Sequence, residues 1–505
     1  MSDIILDWIP TKQKGVIKGE YVNDIREMLS VPDETARFRR YSNRFVSARK
    51  YVITPAGRYD PGLTSEILKV AQSNFPNATI KVTDALAKVV KPTFNDTTIA
   101  PLDLELRDYQ QTAVESCLKM GRGVISLATA GGKTLIIASL IESIYKTDKS
   151  LNAIVIVPDL GLVNQTYNDF SEYGVSFSFT KWTGNNKPVI GSNIIIANLG
   201  ILQSKNTDID FLEYYDMVIV DEVHKLRRGN KINKLLSKIK TSHKFGFTGT
   251  LPEEQVDKWN IMGKVGPILL TKTSRALADE DYISKAKIII LNTSYNEQPT
   301  APFDRHEVAA EYRREVDFII HSEFRNNLIG NICKSLDKNI LIIVDYIEHG
   351  LILEEKLNKH TPSKSIHFIQ GEVDVEERDK VKQLMEEKNN VICVAISKIF
   401  STGINIKNLH YIMFANGGKA KIKIIQSIGR GLRLHTDKDE VIIFDIADNL
   451  KYGMQHMKKR MRLYTKEQFN YGVKEITERS SQKSSCQEDS SQEDSQEEAQ
   501  KEEAK

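Results

Sequence analysis

No apolar run in these 505 residues approaches the roughly 20 needed to cross a bilayer, so no membrane span is expected. The stretch from Met1 to Asp7 lacks the basic and apolar regions of a secretory signal, and none is read there. Cysteine is scarce. Cys117, Cys333, Cys393 and Cys486 show no zinc or redox spacing, so they read as reduced thiols of a cytoplasmic protein. His321 and His349 have no partner at metal-ligand spacing and read as structural. Pro158-Asp159 is followed by no Glu-x-Lys on a nearby strand, which removes the signature of a nuclease core. A large charge of one sign is also lacking, since the net is only +3. The distribution is uneven, however. Residues 486–505 carry eight acids and two lysines, a net of −6, and the +3 overall therefore leaves +9 on the rest. A basic body of that kind permits nucleic-acid binding without requiring it.

A chain of 505 residues is too long for one core, while 40% hydrophobic and 27% charged residues are ordinary for a globular protein. Residues 1–95 contain no phosphate motif. They read as a small α+β domain, with a basic aromatic stretch from Arg37 to Phe45, a strand over Tyr51–Thr54 and helical apolar spacing over Ser65–Ser73. From Leu106 apolar strands alternate with amphipathic helices. Strands are expected at Gly123–Leu127, Ala153–Val157, Asn193–Ala197, Met217–Val220 and Lys244–Thr248. A second series is expected at Lys287–Leu291, Asn339–Val344, Ser365–Ile369, Val391–Ala395, Tyr411–Phe414 and Val441–Phe444. Continuous apolar strands of this kind predict parallel sheets covered on both faces, so the fold class is α/β with two such lobes, 96–275 and 276–450, joined around 270–286. Residues 451–479 read as a basic helical segment. Residues 480–505, almost all Ser, Gln and Glu, read as a disordered acidic tail, because they cannot bury enough apolar surface to order.

Between the strand ending at Leu127 and the helix opening at Lys133 lie Ala128, Thr129, Ala130, Gly131 and Gly132. Small residues there let backbone N–H groups converge on phosphate oxygens, and the helix N-terminus adds its positive end. Lys133 is placed for the β- and γ-phosphates of ATP, and Thr134 for Mg²⁺. The strict phosphate-loop pattern has glycine where Leu127 stands. The apolar strand Met217–Val220 ends in Asp221-Glu222-Val223-His224. Strand-end carboxylates face the ligand crevice, so Asp221 and Glu222 read with Thr134 as the Mg²⁺ set, and Glu222 also as the group that orients the attacking water. His224, Thr248 and Thr250 are coupling candidates. Arg107 and Gln110 precede the loop, Gln110 placed to read an adenine edge and Arg107 or Tyr109 to pack on the ring.

In the second lobe, Gln426 to Arg433 puts Arg430 and Arg433 on one helical face. In a lone helix that is a solvated basic face. In this lobe it reads as arginine fingers that complete the nucleotide site only when the lobes close, with Gln426 beside them. Ser401–Asn405 follows another strand, with Gly403 assigned to the nucleotide and Thr402 to a nucleic-acid backbone. Pro158, Gln165, Arg39, Arg40, Arg44, Lys458 and Arg460 are the remaining candidates for nucleic-acid contact. Each basic stretch reads equally well as a solvated face.

Taken in order, these segments resemble superfamily-two DExH helicases. Arg107–Gln111 resembles the adenine-reading motif, Ala128–Thr134 motif I, Asp221–His224 motif II, Thr248–Thr250 motif III, Ser401–Asn405 motif V and Gln426–Arg433 motif VI. Within that superfamily the chain is similar to the phage UvsW-type recombination helicases. They share the Thr-Ala-Gly-Gly-Lys loop, Gly371 to Asp374, Phe400 to Gly403 and Gln426 to Arg430, and Arg37–Asn74 resembles their small N-terminal DNA-binding domain. The resemblance implies two RecA-like lobes clamping ATP and Mg²⁺. It implies a motor that unwinds or remodels forked, branched or duplex DNA in recombination, repair and replication, by fork reversal and Holliday-junction branch migration. It also implies a monomer in the host cytoplasm, with phage recombination or single-strand-binding proteins as partners and no membrane. An RNA helicase, the motor subunit of a restriction system and a non-catalytic DNA-binding scaffold are the alternatives.

Overall fold

The computed structural model describes residues 3–34, 36, 47–94, 97–158, 160–184, 192–204, 212, 214–226, 229–297, 308–371, 375–397, 406–415, 438 and 440–478. Arg39, Arg40, Arg44, Thr402, Gly403, Gln426, Arg430, Arg433 and the acidic tail 480–505 lie outside the described residues.

Among the described residues the first lobe is a seven-stranded sheet. Its order is Ile268–Lys272, Gly123–Leu127, His243–Thr248, Met217–Val220, Ala153–Val157, Ile194–Asn198, Phe179–Trp182. Every pairing is parallel. The central strands are buried on both faces, which is why they appear in the sequence as unbroken apolar runs. The second lobe repeats the plan in the order Ser365–Ile369, Val391–Ile396, Ile340–Val344, Tyr411–Phe414, Glu440–Asp448, Lys285–Ser294, Asn470–Thr477, again all parallel. Cys117, Cys333 and Cys393 are buried free thiols of these cores, and burial pushes all three up.

The segment expected to be helical through residue 479 is corrected. The helix runs over Lys451–Lys466, and Asn470–Thr477 forms an edge strand beside Lys285–Ser294. The helix is therefore a crossover that packs Met457, Leu463 and Tyr464 onto the sheet. Arg460, expected to contact nucleic acid, is 3% exposed. Its Nε donates to Asp445 Oδ2 at 2.8 Å, and Tyr464 donates to the same oxygen at 2.9 Å. Lys458 on the opposite face stays exposed. Breaking a buried ion pair strands its partner charge, so Arg460→Met is expected to cost about 3–5 kcal/mol of stability, read as a lowered chemical-denaturation midpoint.

The N-terminal domain has a four-stranded sheet, ordered Arg58–Tyr59, Lys14–Lys18, Asp3–Ile9, Thr79–Val82 among the described residues, with a separate pair of strands at Ser30–Pro32 and Arg49–Tyr51. The strand expected over Tyr51–Thr54 thus ends at Tyr51, and the helix expected over Ser65–Ser73 spans Thr64–Asn74. Trp259 and Met262, from the first-lobe helix Gln255–Val265, complete this domain's apolar core. Gly62 packs so closely on that helix that a Cβ would lie 2.0 Å from the Met262 carbonyl oxygen.

Candidate nucleotide site

Three neighbouring strands of the first lobe end together. Gly123–Leu127 leads into the phosphate loop, His243–Thr248 into Gly249-Thr250, and Met217–Val220 into Asp221-Glu222. Because His243–Thr248 lies between the other two, segments far apart in sequence become adjacent. A Cβ on Gly249 would sit 3.3 Å from Thr129 Oγ1. Leu127, in place of the usual glycine, is buried, and its side chain fills the space beneath Gly131.

The loop backbone is shaped for convergence. The Gly131 N–H donates to the Ala128 carbonyl at 3.0 Å, closing a turn. Ala130 adopts φ +69° and Gly132 φ +79°. Gly132 also has no room for a side chain, since a Cβ would meet Gln110 Nε2 at 2.4 Å. The 15-residue helix Lys133–Thr147 begins there with no side chain capping its N-terminus. Uncapped N–H groups at the positive end of a helix are suited to an anion.

Gln110 is buried under this loop. Its Oε1 accepts from the Arg107 N–H at 2.9 Å, and its Nε2 donates to the Gly131 carbonyl at 3.0 Å. Reading an adenine edge through both ends of the amide does not fit this arrangement, because the oxygen is already engaged. Tyr109 donates to the same Gly131 carbonyl at 2.9 Å. Arg107 donates to the Tyr282 carbonyl at 3.0 Å and to Tyr109 Oη at 3.3 Å, so its guanidinium is committed to the connection between lobes. The sequence gives no sign that Gln110 closes on Gly131, 21 residues further on.

Lys133 Nζ lies 3.8 Å from Glu222 Oε1. Glu222 takes φ +51°, a left-handed conformation that costs a non-glycine residue roughly 1–2 kcal/mol and turns its side chain back beside Asp221. Its amide donates to Asp221 Oδ1 at 2.8 Å. His224 Nδ1 lies 2.9 Å from Thr248 Oγ1 and 3.0 Å from Glu222 Oε2. The second contact lacks hydrogen-bond geometry, and Glu222 Oε2 is buried with no hydrogen-bond partner among the described residues. Thr248 Oγ1 donates to the Thr250 carbonyl at 2.8 Å, so toward His224 it accepts, and Nδ1–H is the donor. A chain of contacts therefore runs from Glu222 through His224 and Thr248 to Thr250.

Burial, and then the Glu222 charge beside it, push the Asp221 carboxyl up. Burial also acts against the Glu222 charge, but Lys133 and then His224 outweigh it and hold this carboxyl well below the usual range. A buried carboxyl raised by a like charge is one that a divalent cation would return to the ionised form. Among the described residues no cluster of three or more His, Cys, Asp or Glu could cage a metal alone. The donor set of Thr134 and Asp221 therefore fits Mg²⁺ completed by water and phosphate oxygens. Pro158 and Gln165 are half-buried at the neighbouring strand end and its helix. No helix among the described residues is long and apolar enough to cross a membrane.

Family models match both lobes. The res subunit of type III restriction enzymes matches residues 103–253, and the helicase conserved C-terminal domain matches 323–435. The chain belongs to the superfamily-two helicases and is an ATP-dependent enzyme of that class. It is 28% identical over 399 residues to the ATP-dependent DNA helicase uvsW of Enterobacteria phage T4, covering 73% of this chain and 76% of that one. It is 25% identical over 371 residues to the DNA 3'-5' translocase XPB2 of Sulfurisphaera tokodaii, covering 67% and 81%. The DUF1998 helicase MrfA, solved bound to DNA, shares the fold at a TM-score of 0.53 and 15% identity, over 76% of this chain and 58% of that one.

Proposed function

We propose that this helicase moves on DNA and remodels branched junctions, by fork reversal and branch migration, using the first-lobe site for ATP and Mg²⁺. The observation that carries the DNA reading is the similarity to uvsW over about three quarters of both chains. In this reading Lys133 and the uncapped helix N-terminus hold the triphosphate, and Thr134 and Asp221 hold the cation. Bound Mg²⁺ supplies neutralisation of phosphate charge. Glu222, ionised and with Oε2 in no hydrogen bond among the described residues, orients the attacking water and accepts its proton. Gln426, Arg430, Arg433 and Gly403 complete the site from the second lobe. Arg39, Arg40, Arg44, Pro158, Gln165, Thr402 and Lys458 contact the nucleic-acid backbone, which makes binding steeply salt-dependent and tolerant of sequence.

His224 and Thr248 join Glu222 to the segment that continues into helix Gln255–Val265. His224→Ala is therefore expected to keep basal ATP hydrolysis within a few-fold while lowering its stimulation by DNA about tenfold or more. Equal stimulation in both proteins, measured by steady-state phosphate release, would remove the coupling role. The functional test is ATP-dependent activity on forked DNA, four-way junctions, plain duplex and RNA. Preference for forks and junctions is the expected result. Preference for RNA, or activity on duplex without strand separation, would replace the reading by an RNA helicase or a restriction-type translocase.

A further inference from the structure

The N-terminal domain meets the first lobe at the end of the sheet opposite the nucleotide site, where the interior strands Gly123–Leu127 and His243–Thr248 begin. A cavity of ≈ 50 Å³ lies in this junction. Six cationic side chains line it, Lys12, Lys14, Arg122, Lys240, Lys244 and Lys264, and a single carboxylate, Asp60. They come from both domains, so the cluster exists only because the two are docked.

Among the described residues Lys14, Arg122, Lys244 and Lys264 face one carboxylate, Asp60. Lys14 and Lys264 both pair with Asp60 Oδ1, the latter at 2.9 Å. Lys244 Nζ donates to the carbonyls of Leu236 at 3.1 Å and Ile239 at 2.7 Å, at the end of helix Lys231–Lys238. Arg122 donates to the carbonyls of Val265, Val89 and Lys264 at 2.8, 3.0 and 3.1 Å. Helix C-termini carry only partial negative charge, about half a unit each. Arg122 is 2% exposed and Lys264 8%, so water screens these two charges poorly, whereas the Lys14 side chain is 32% exposed. Burial, and then Arg122 and Lys264 nearby, push the Lys244 ammonium down to about 7. The space holds about three to four water-sized spheres, the size of a tetrahedral oxyanion.

We propose that the junction between the N-terminal domain and the first lobe is a binding site for a phosphate-type oxyanion, gripped by Lys14, Lys244 and Lys264. The anion is either a free ion or a backbone phosphate of nucleic acid. Its presence cements the N-terminal domain to helix Gln255–Val265.

The test uses the full chain carrying Lys133→Ala, which weakens phosphate binding at the nucleotide loop. Inorganic phosphate is titrated by calorimetry against chloride of matched ionic strength. Saturable phosphate binding is expected. Lys14→Met should weaken it about tenfold or more, and Asp60→Asn, which frees two ammonium groups, should tighten it several-fold. A purely structural cluster would lose stability with Asp60→Asn and gain no affinity. Repeating the titration with saturating duplex DNA separates the sources. Displacement identifies a backbone phosphate, and undiminished binding identifies a free ion. Absence of saturable phosphate binding, or affinity unchanged in both Lys14→Met and Asp60→Asn, overturns the proposal.

Discussion

Lys133→Ala is expected to lower ATP turnover by about 10²–10³ and to abolish unwinding, while DNA binding stays largely intact. Two separate losses combine in this variant. The ammonium placed for the β- and γ-phosphates disappears, so charge developing on the transferred group goes unmatched. Glu222 also loses the cation 3.8 Å away that, more than any other group, holds its carboxyl ionised against burial. A base that gains a proton no longer accepts one from water. Nucleic-acid affinity comes instead from backbone contacts spread over other surfaces, and removing one charge at the nucleotide site leaves those in place. Phosphate release and filter binding on the same preparation check both halves of the expectation. Full unwinding by this variant would move the nucleotide to another site.

The second large effect is expected in the other lobe. Arg430 and Arg433 stand three positions apart in the sequence, and arginine fingers contribute about 10³–10⁵ to turnover in phosphoryl-transfer motors. Within the first lobe, among the described residues, Lys133 is the ammonium in ion-pair reach of the two strand-end carboxylates Asp221 and Glu222, at 3.8 Å from Glu222. Charge on the departing phosphoryl group therefore needs a further source. A source on a separate lobe makes hydrolysis conditional on closure, and reopening conditional on hydrolysis, which is the basis of directed movement. Arg430→Ala and Arg433→Ala should each depress turnover far more than they depress ATP binding, because the contact matters most in the transition state.

Much of the fold is legible in the sequence for a physical reason. Gly123–Leu127, Ala153–Val157, Met217–Val220 and Tyr411–Phe414 appear at the expected bounds because interior parallel strands covered on both faces carry largely apolar runs. Three of the four edge strands of the two lobes escape notice among the described residues, Ser365–Ile369 being the exception. Phe179–Trp182 is half-buried throughout, Asn470–Thr477 is mostly exposed, and Ile268–Lys272 lies where the connection between lobes was expected. An edge strand buries one side only, so its sequence looks like a loop. The same blindness affects polar side chains. Nothing local to Arg460 shows that it turns inward to Asp445, and nothing near Gln110 shows that its amide closes on Gly131. Phosphate and carboxylate motifs announce themselves because their spacing is local. The junction cluster of Lys14, Asp60, Arg122, Lys244 and Lys264 is assembled from segments spread over 250 residues and has no sequence signature.

The central claim is that two lobes act on one triphosphate. Steady-state ATP turnover of the Arg430→Ala, Arg433→Ala double variant, with and without forked DNA, tests it most directly. The account predicts a fall of about 10³ or more with ATP still bound. Turnover equal to that of the unaltered protein would show that the first lobe hydrolyses ATP unaided, and the shared site would not exist.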